Sequence, residues 1–465
     1  MALPRSSRSV LAISLAALLA GPSLAAAASD PVALERRILE LQRQLDQAEA
    51  ELAAARAETK AAKQEAEIAS AELAKAEPPQ DDKIRLGPVT VGGAIRANYI
   101  LGDYPNGGDG PSRGGNGGNF VLDTFRINMD LKYKQLVGKF EYRWYDGYNF
   151  LHTGWLGWDF DNGSQLQVGV NRVPFGPGPY GVSQSWFFDQ HYYVGLADDM
   201  DLGIKYVTSA GNWDLDFAYY ARSEWNGNGT SRDSARYGYD AVVWDSGLEP
   251  NGDVVSVLPN GYEERNQFNL RAIYNFDQTA VDTALGVSLQ YGGLKGRRAD
   301  NGHHWAASVH MKNSWNNWLL ATQLTRYKYD IDSDNLLGTG ELFPMGAYNF
   351  AWPVASDAWL PAVSLSYLVE TDRIPWLDSV RPYVEYSNII KEDSNFNDSQ
   401  LAIVGAAWAS GGWYIYTDLA FSDGNYFVGD KGDNYSNIID GVGDFGVNGN
   451  DEWNYRFNIN FGYYF

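Results

Sequence analysis

The sequence predicts an all-β transmembrane antiparallel barrel of sixteen strands, preceded by an α-helical coiled coil. Three observations carry this expectation. Hydrophobicity alternates with a period of two from residue 88 to the end, the connections between alternating segments are short and long by turns, and residues 34–76 instead keep a seven-residue apolar repeat.

The chain begins with Arg5 and Arg8, an apolar run from Val10 to Leu19, Pro22, and the small-residue stretch Ala25-Ala26-Ala27. This is the pattern of a cleaved signal peptide over 1–27. The apolar run is only ten residues long, whereas a spanning helix needs about twenty. The rest of the chain is therefore expected outside the cytoplasm.

From Leu34 the apolar and small positions step four, three, four, three through Ile38, Leu41, Leu45, Ala48, Leu52, Ala55, Thr59, Ala62, Ala66, Ala69, Leu73 and Ala76. Such spacing predicts a left-handed coiled coil over 30–77, roughly 60 Å long at helical rise. Pro78 and Pro79 stop it, and 78–87 reads as a linker to the barrel of 88–465.

The C-terminus has the clearest alternation. Trp453, Tyr455, Phe457, Ile459, Phe461, Tyr463 and Phe465 share one face, while Asn454, Arg456, Asn458 and Asn460 share the other. A strand of this kind fits lipid on one side and water on the other. The same pattern marks strands at 89–101, 121–133, 136–146, 152–160, 165–173, 202–208, 213–221, 265–276, 283–292, 303–312, 317–328, 361–370, 380–388, 399–408, 413–421 and 453–465. Every second connection, beginning with Lys134-Gln135, is short. Those between, including 102–120, 174–201, 222–264, 329–360 and 422–452, are long and rich in Gly, Asn and Asp. This is the organisation of a bacterial outer-membrane barrel with both termini, and hence the N-terminal segment, in the periplasm.

Composition agrees. Tyr (30), Phe (20) and Trp (16) are abundant, and Tyr and Trp favour membrane–water interfaces. Cysteine is absent, so an exported chain of this size is expected to be held by strand closure rather than disulfides. Net charge is −22, falling to −24 once Arg5 and Arg8 are removed, which argues against nucleic-acid partners.

Thr124-Phe125-Arg126-Ile127-Asn128-Met129-Asp130-Leu131 followed by Gly138-Lys139-Phe140-Glu141-Tyr142, and Val168-Gly169-Val170-Asn171-Arg172-Val173-Pro174-Phe175-Gly176, resemble strands of the phosphate-selective O/P porin family. Asp201–Tyr206 and Arg381–Tyr386 are similar to later strands of that family. The resemblance implies a sixteen-stranded homotrimeric porin. It also fits related porins that carry a coiled coil and take dicarboxylates or sugars. The dense lysine clusters of the family's loops are not evident here.

Catalysis is not expected. The five histidines, His152, His191, His303, His304 and His310, lack metal-ligand spacing, and adjacent His303 and His304 point to opposite sides of a strand. No cofactor is expected. Divalent cations bound in the acidic loop 422–452, which carries Asp423, Asp430, Asp433, Asp440, Asp444, Asp451 and Glu452, are an alternative to a merely solvated loop. Connection 174–201 opens with Pro174, Gly176, Pro177, Gly178 and Pro179 and continues with Tyr180, Trp186, Phe187, Phe188, Asp189, His191 and Tyr192. By its position between the fifth and sixth strands, the resemblance implies a loop that folds into the lumen and narrows it.

Taking the face opposite the apolar one as inward places Arg96, Arg126, Lys132, Lys139, Arg143, Lys205, Arg271, Lys312, Arg381 and Arg456 in the lumen. The acids on that face are Asp130, Glu141, Asp159, Asp214, Asp216, Glu385 and Asp418. The expected function is passive diffusion of small hydrophilic solutes with a preference for anions, phosphate or small carboxylates. A carbohydrate-selective pore and a structural tether between outer membrane and peptidoglycan are the alternatives. Expected partners are outer-membrane lipid and lipopolysaccharide, small solutes, peptidoglycan, and two further copies of the chain.

Overall fold

In the computed structural model the alternating segments form one antiparallel sheet that closes on itself. The structure describes residues 84–103, 119–229, 235–244, 246–248, 254–256, 258–276, 281–348, 350–371, 373–425, 427–428, 445 and 453–465. The expected signal peptide, the coiled coil and the start of the linker lie outside these residues. The last linker residues, Ile84–Leu86, pair as a short hairpin with Val89–Val91.

Eighteen strands join the sheet. Apart from Ile84–Leu86 and the two-residue extension Val369–Glu370, they make a wall of sixteen. These are β1 Val89–Gly102, β2 Asn119–Tyr133, β3 Leu136–Trp144, β4 Asn149–Asp159, β5 Gln165–Arg172, β6 Met200–Ala210, β7 Trp213–Ser223, β8 Tyr262–Phe276, β9 Asp282–Gly296, β10 Gly302–Trp315, β11 Trp318–Asp330, β12 Asp357–Tyr367, β13 Ser379–Lys391, β14 Ser399–Ser410, β15 Trp413–Asp423 and β16 Trp453–Tyr464. Each expected strand has its counterpart, displaced by a few residues at most. Closure is made by β1 against β16, from Ala94 opposite Tyr464 to Gly102 opposite Arg456. Phe465 extends it through two backbone hydrogen bonds with Gly93, of 2.9 and 3.0 Å.

The apolar faces point outward, the reverse of a water-soluble protein. Leu156, Phe268 and Val309 are each more than half exposed, while Asn454, Asn458 and Asn460 are buried. With no water in a bilayer core, only a closed sheet satisfies every backbone group there. Aromatic pairs ring the short-turn end, with Trp213–Tyr274 at 5.0 Å, Trp318–Tyr367 at 4.7 Å and Trp413–Tyr463 at 5.1 Å. Tyr219–Phe268 (5.1 Å) and Phe125–Trp144 (5.6 Å) lie toward the long-loop end. Two such girdles suit the two interfaces of a membrane.

Two-residue turns bend at Lys134, Gly211, Asn316 and Gly411, whose φ values of 54°, 58°, 49° and 54° are left-handed, the geometry that matches strand twist in tight hairpins. At the other end the connections fold inward. A small sheet of Asp240–Ala241, Leu342–Ala347 and Phe350–Ala355 packs its Met345 and Trp352 into one apolar cluster with Phe187, Tyr192 and Tyr193 of segment 174–199.

Four register shifts interrupt the wall, between Arg96 and Ala97, Glu141 and Tyr142, Leu202 and Gly203, and Arg265 and Phe268. A bulge adds one residue to a strand and re-aims side chains. That is how Asp123, His152 and Gln267 come to face the interior.

Candidate functional site

Segment 174–199 leaves the wall after β5 and runs inside the barrel to the opposite strands. Its amide at Gly176 donates to Ser288 Oγ on β9 (3.1 Å). Farther along, Ser183 Oγ donates to Glu385 Oε2 on β13 (2.7 Å), and the Gln184 amide donates to Oε1 of the same carboxylate. The Trp186 amide reaches Asp418 on β15 (3.3 Å), and Gln190 bonds Ser387 Oγ and the Ser399 carbonyl, each at 3.1 Å. Partners on β9, β13, β14 and β15 hold the segment across the interior.

Within the segment, Asp189 and His191 serve its own shape. Asp189 Oδ2 accepts the Val182 amide, and Oδ1 accepts the His191 amide and meets His191 Nδ1, all at 2.8 Å. His191 Nε2 lies 2.8 Å from Thr325 Oγ1 on β11. Gly181 is left-handed (φ 62°), and a Cβ there would collide with the Asp189 carboxylate. Tyr180 stands off the wall beneath Arg172, whose guanidinium lies 5.2 Å from the ring centroid.

Trp186, Phe187, Phe188 and Tyr192 line an interior cavity of about 360 Å³. It is also lined by Tyr145, Tyr148, Tyr237, Tyr239, Tyr348 and Tyr416, and by Arg96, Arg126, Arg143 and Arg456 with Asp123 and Asp146. Tyr192 OH bonds Tyr348 OH, joining two separate connections. Burial pushes the Tyr192, Tyr237 and Tyr348 hydroxyls above the ordinary tyrosine range, so these loop phenols stay neutral at physiological pH.

The arginines are held in fixed poses. Arg96 Nε lies 2.8 Å from Asp123, and Arg143 Nε and Arg126 Nη1 lie 2.5 and 3.4 Å from one Glu141 oxygen. Arg143 stacks on Tyr237 (4.4 Å) and Arg126 on Tyr464 (5.1 Å). Arg456 lies 4.8 and 5.0 Å from the Trp186 and Phe187 rings, and donates to the Phe427 carbonyl (3.2 Å) and Asn458 Oδ1 (2.7 Å).

The remaining expected lumen cations do not reach this cavity. Lys132 is mostly exposed near a short turn, paired with Asp159, and Lys139 lies 3.8 Å from Asp130. Lys205 donates to the Arg172 carbonyl (2.7 Å), and Arg271 pairs with Asp216 (2.6 Å). Lys312 faces Gly178, while Arg381 is half-buried on the inward face of β13 with Tyr383 and Glu385.

Counting along alternating strands leaves out charges that bulges and loops carry inside. Asp123, Asp189, Asp198, Asp199, Asp201, Glu224, Asp240 and Glu264 are all buried or nearly so, and so are the bases Arg236 and Lys391. At the cavity, four arginines stand against two aspartates. Glutamate and aspartate at strand ends and in loops have no periodicity to betray them. Of the acidic loop 422–452, only Asp423 among its acids lies within the described residues.

No family model and no curated protein matches the chain. Among solved structures it is similar to OmpT of Vibrio cholerae in its trimer form, with TM-score 0.48 and 14% identity over 81% of this chain and 99% of that one. It is similar to the outer membrane channel DcaP of Acinetobacter baumannii, with TM-score 0.48 and 13% identity over 81% and 97%. An anion-selective porin from Comamonas acidovorans gives TM-score 0.46 and 13% identity over 81% and 99%. At such values the sixteen-strand architecture rests on this chain's own strand register.

Proposed function

We propose that this chain is an outer-membrane porin for passive diffusion of small hydrophilic solutes, with a preference for anions such as phosphate or small carboxylates. The observation that carries the reading is the cavity inside the closed barrel, where four arginines meet two aspartates. That leaves a surplus of two positive charges on the lining, and Glu141, behind Arg126 and Arg143, lowers it to one without changing its sign. Fields focused between low-dielectric walls concentrate counter-ions. Guanidinium groups stay charged and present a fork to two oxygens.

In this reading segment 174–199 is the constriction, and the likeness of the quoted strands to the phosphate-selective O/P porins is one of kinship. Residues 30–77 form a periplasmic coiled coil after removal of 1–27, and three copies assemble. The detergent-solubilised particle is expected to weigh three chains; the mass of one would contradict the trimer. Proteoliposomes test transport. Small carboxylates are expected to enter faster than amines or neutral sugars of equal size, and faster entry of the amines would refute the anion preference.

A carbohydrate pore is the second reading, favoured by the tyrosine and tryptophan rings around the cavity, which offer stacking faces. It requires that sugars block the ion current while anions and cations pass equally.

A further inference from the structure

Among the described residues, five acids from separate segments gather toward the long-loop end, around Gly238, whose neighbours Tyr237 and Tyr239 line the arginine cavity. Asp199 ends segment 174–199, Asp201 begins β6, Glu224 follows β7, Asp240 belongs to the small inner sheet, and Glu264 lies on β8. All are 6% exposed or less. One carboxylate oxygen each from Asp199, Asp201 and Asp240 lies within 4.8 Å of the others. Asp199 Oδ1, Asp240 Oδ2 and Glu224 Oε1 also surround Gly238, within 3.2 Å of where a Cβ would stand. The glycine leaves room for them.

Three of the acids are each held by one oxygen and open at the other. Asp201 Oδ2 accepts from Gln267 Nε2 (3.0 Å), Glu224 Oε1 from the Gly238 amide (2.8 Å), and Asp240 Oδ2 from Arg236 Nη1 (3.3 Å). Yet Oδ1 of Asp199, Asp201 and Asp240, Oε2 of Glu224 and Oε1 of Gln267 are buried and accept no hydrogen bond among the described residues. Buried polar atoms without partners are costly, and buried charges are normally paired or bound to metal. Five carboxylates face one guanidinium, so positive charge is missing. The bulge at Asn266 (φ 52°) turns both Glu264 and Gln267 inward, and the buried Gln267, bonded to Asp201 through Nε2, keeps its Oε1 without a donor among the described residues.

We infer that this cluster is a calcium site, with Asp199, Asp201 and Asp240 as ligands and Glu224 and Gln267 completing the oxygen shell. Oxygen-only donors select a hard cation, and calcium–oxygen bonds of about 2.3–2.6 Å let one ion reach donors this far apart. Because the ligands come from the end of segment 174–199 and from the connection after β7, the ion would clamp the constriction to the rim. Burial and neighbouring acids push the Asp199 and Glu224 carboxyls upward, as expected of a cluster that needs a cation to stay ionised.

The test uses the full chain in detergent, stripped with a chelator and titrated with terbium, then with calcium. Wild type is expected to give saturable terbium luminescence, sensitised by nearby tryptophans such as Trp225 and displaced by calcium, and a melting temperature that rises with calcium. The near-isosteric double variant Asp199→Asn/Asp240→Asn removes two mutually repelling charges, so it is expected to fold, as circular dichroism will verify. It should lose calcium affinity by more than about tenfold. Absence of saturable binding by wild type would overturn the inference. So would unchanged binding by the double variant, which would move the ion elsewhere, or a wild-type stability that rises with falling pH and ignores calcium, which would mean that shared protons fill the cluster.

Discussion

Replacing Glu385 with leucine is expected to raise single-channel conductance about twofold or more by releasing the segment that crosses the lumen, since conduction follows pore width. Glu385 is buried on β13 and gathers three donors: Ser183 Oγ, the Gln184 amide and Ser364 Oγ. Leucine accepts none of them. A buried donor stripped of its acceptor costs about 1–3 kcal/mol, so the Ser183–Gln184 turn is expected to leave the wall for water. Asp418 and Ser387 hold the segment farther along, which limits the release to its first half. Glu385→Gln keeps an acceptor oxygen and is expected to change conductance less. Planar-bilayer recordings of the two variants check this, and wild-type conductance in Glu385→Leu would mean that this part of the segment does not set the pore.

Loss of ion selectivity is expected from Arg126→Gln combined with Arg456→Gln. The two substitutions take the cavity lining from four arginines against two aspartates to two against two. With Glu141 behind the lining the balance passes from one positive charge to one negative, so the anion-to-cation permeability ratio should fall to about one or slightly below. Arg143 is left in place because it lies 2.5 Å from Glu141, which without it would be buried unpaired. Arg271→Gln is the contrasting variant. It is inward-facing, but its pairing with Asp216 and its absence from the cavity lining predict little change. Equal effects from the two changes would show that charge anywhere in the lumen, rather than at the cavity, sets selectivity.

The wall was legible because a strand in lipid must alternate, and the alternation from Val89 to Phe465 survives in every strand. The path of residues 174–199 was not legible from periodicity. Its position between the fifth and sixth strands pointed inward only through family resemblance, and nothing in the sequence joins Ser183 to Glu385, 202 residues away. Bulges defeat alternation locally. Asp123 reads as an outward position counted from Arg126, yet the extra residue opposite Arg96 and Ala97 turns it to the arginine it pairs with. The rim acids were missed for a related reason, since Asp199, Asp201, Glu224, Asp240 and Glu264 come from five places in the chain, and only closure of the barrel brings them together. Arg172, within the run from Val168 to Gly176 that resembles the O/P porins, lies 2.8 Å from Asp198 and over Tyr180, outside the cavity lining.

The zero-current potential of the wild-type channel across a tenfold potassium chloride gradient tests the central claim most directly. An arginine-lined constriction predicts a potential whose sign reports chloride as the more permeant ion, shrinking as salt screens the field. A potential of the opposite sign, with potassium the more permeant ion, would contradict it.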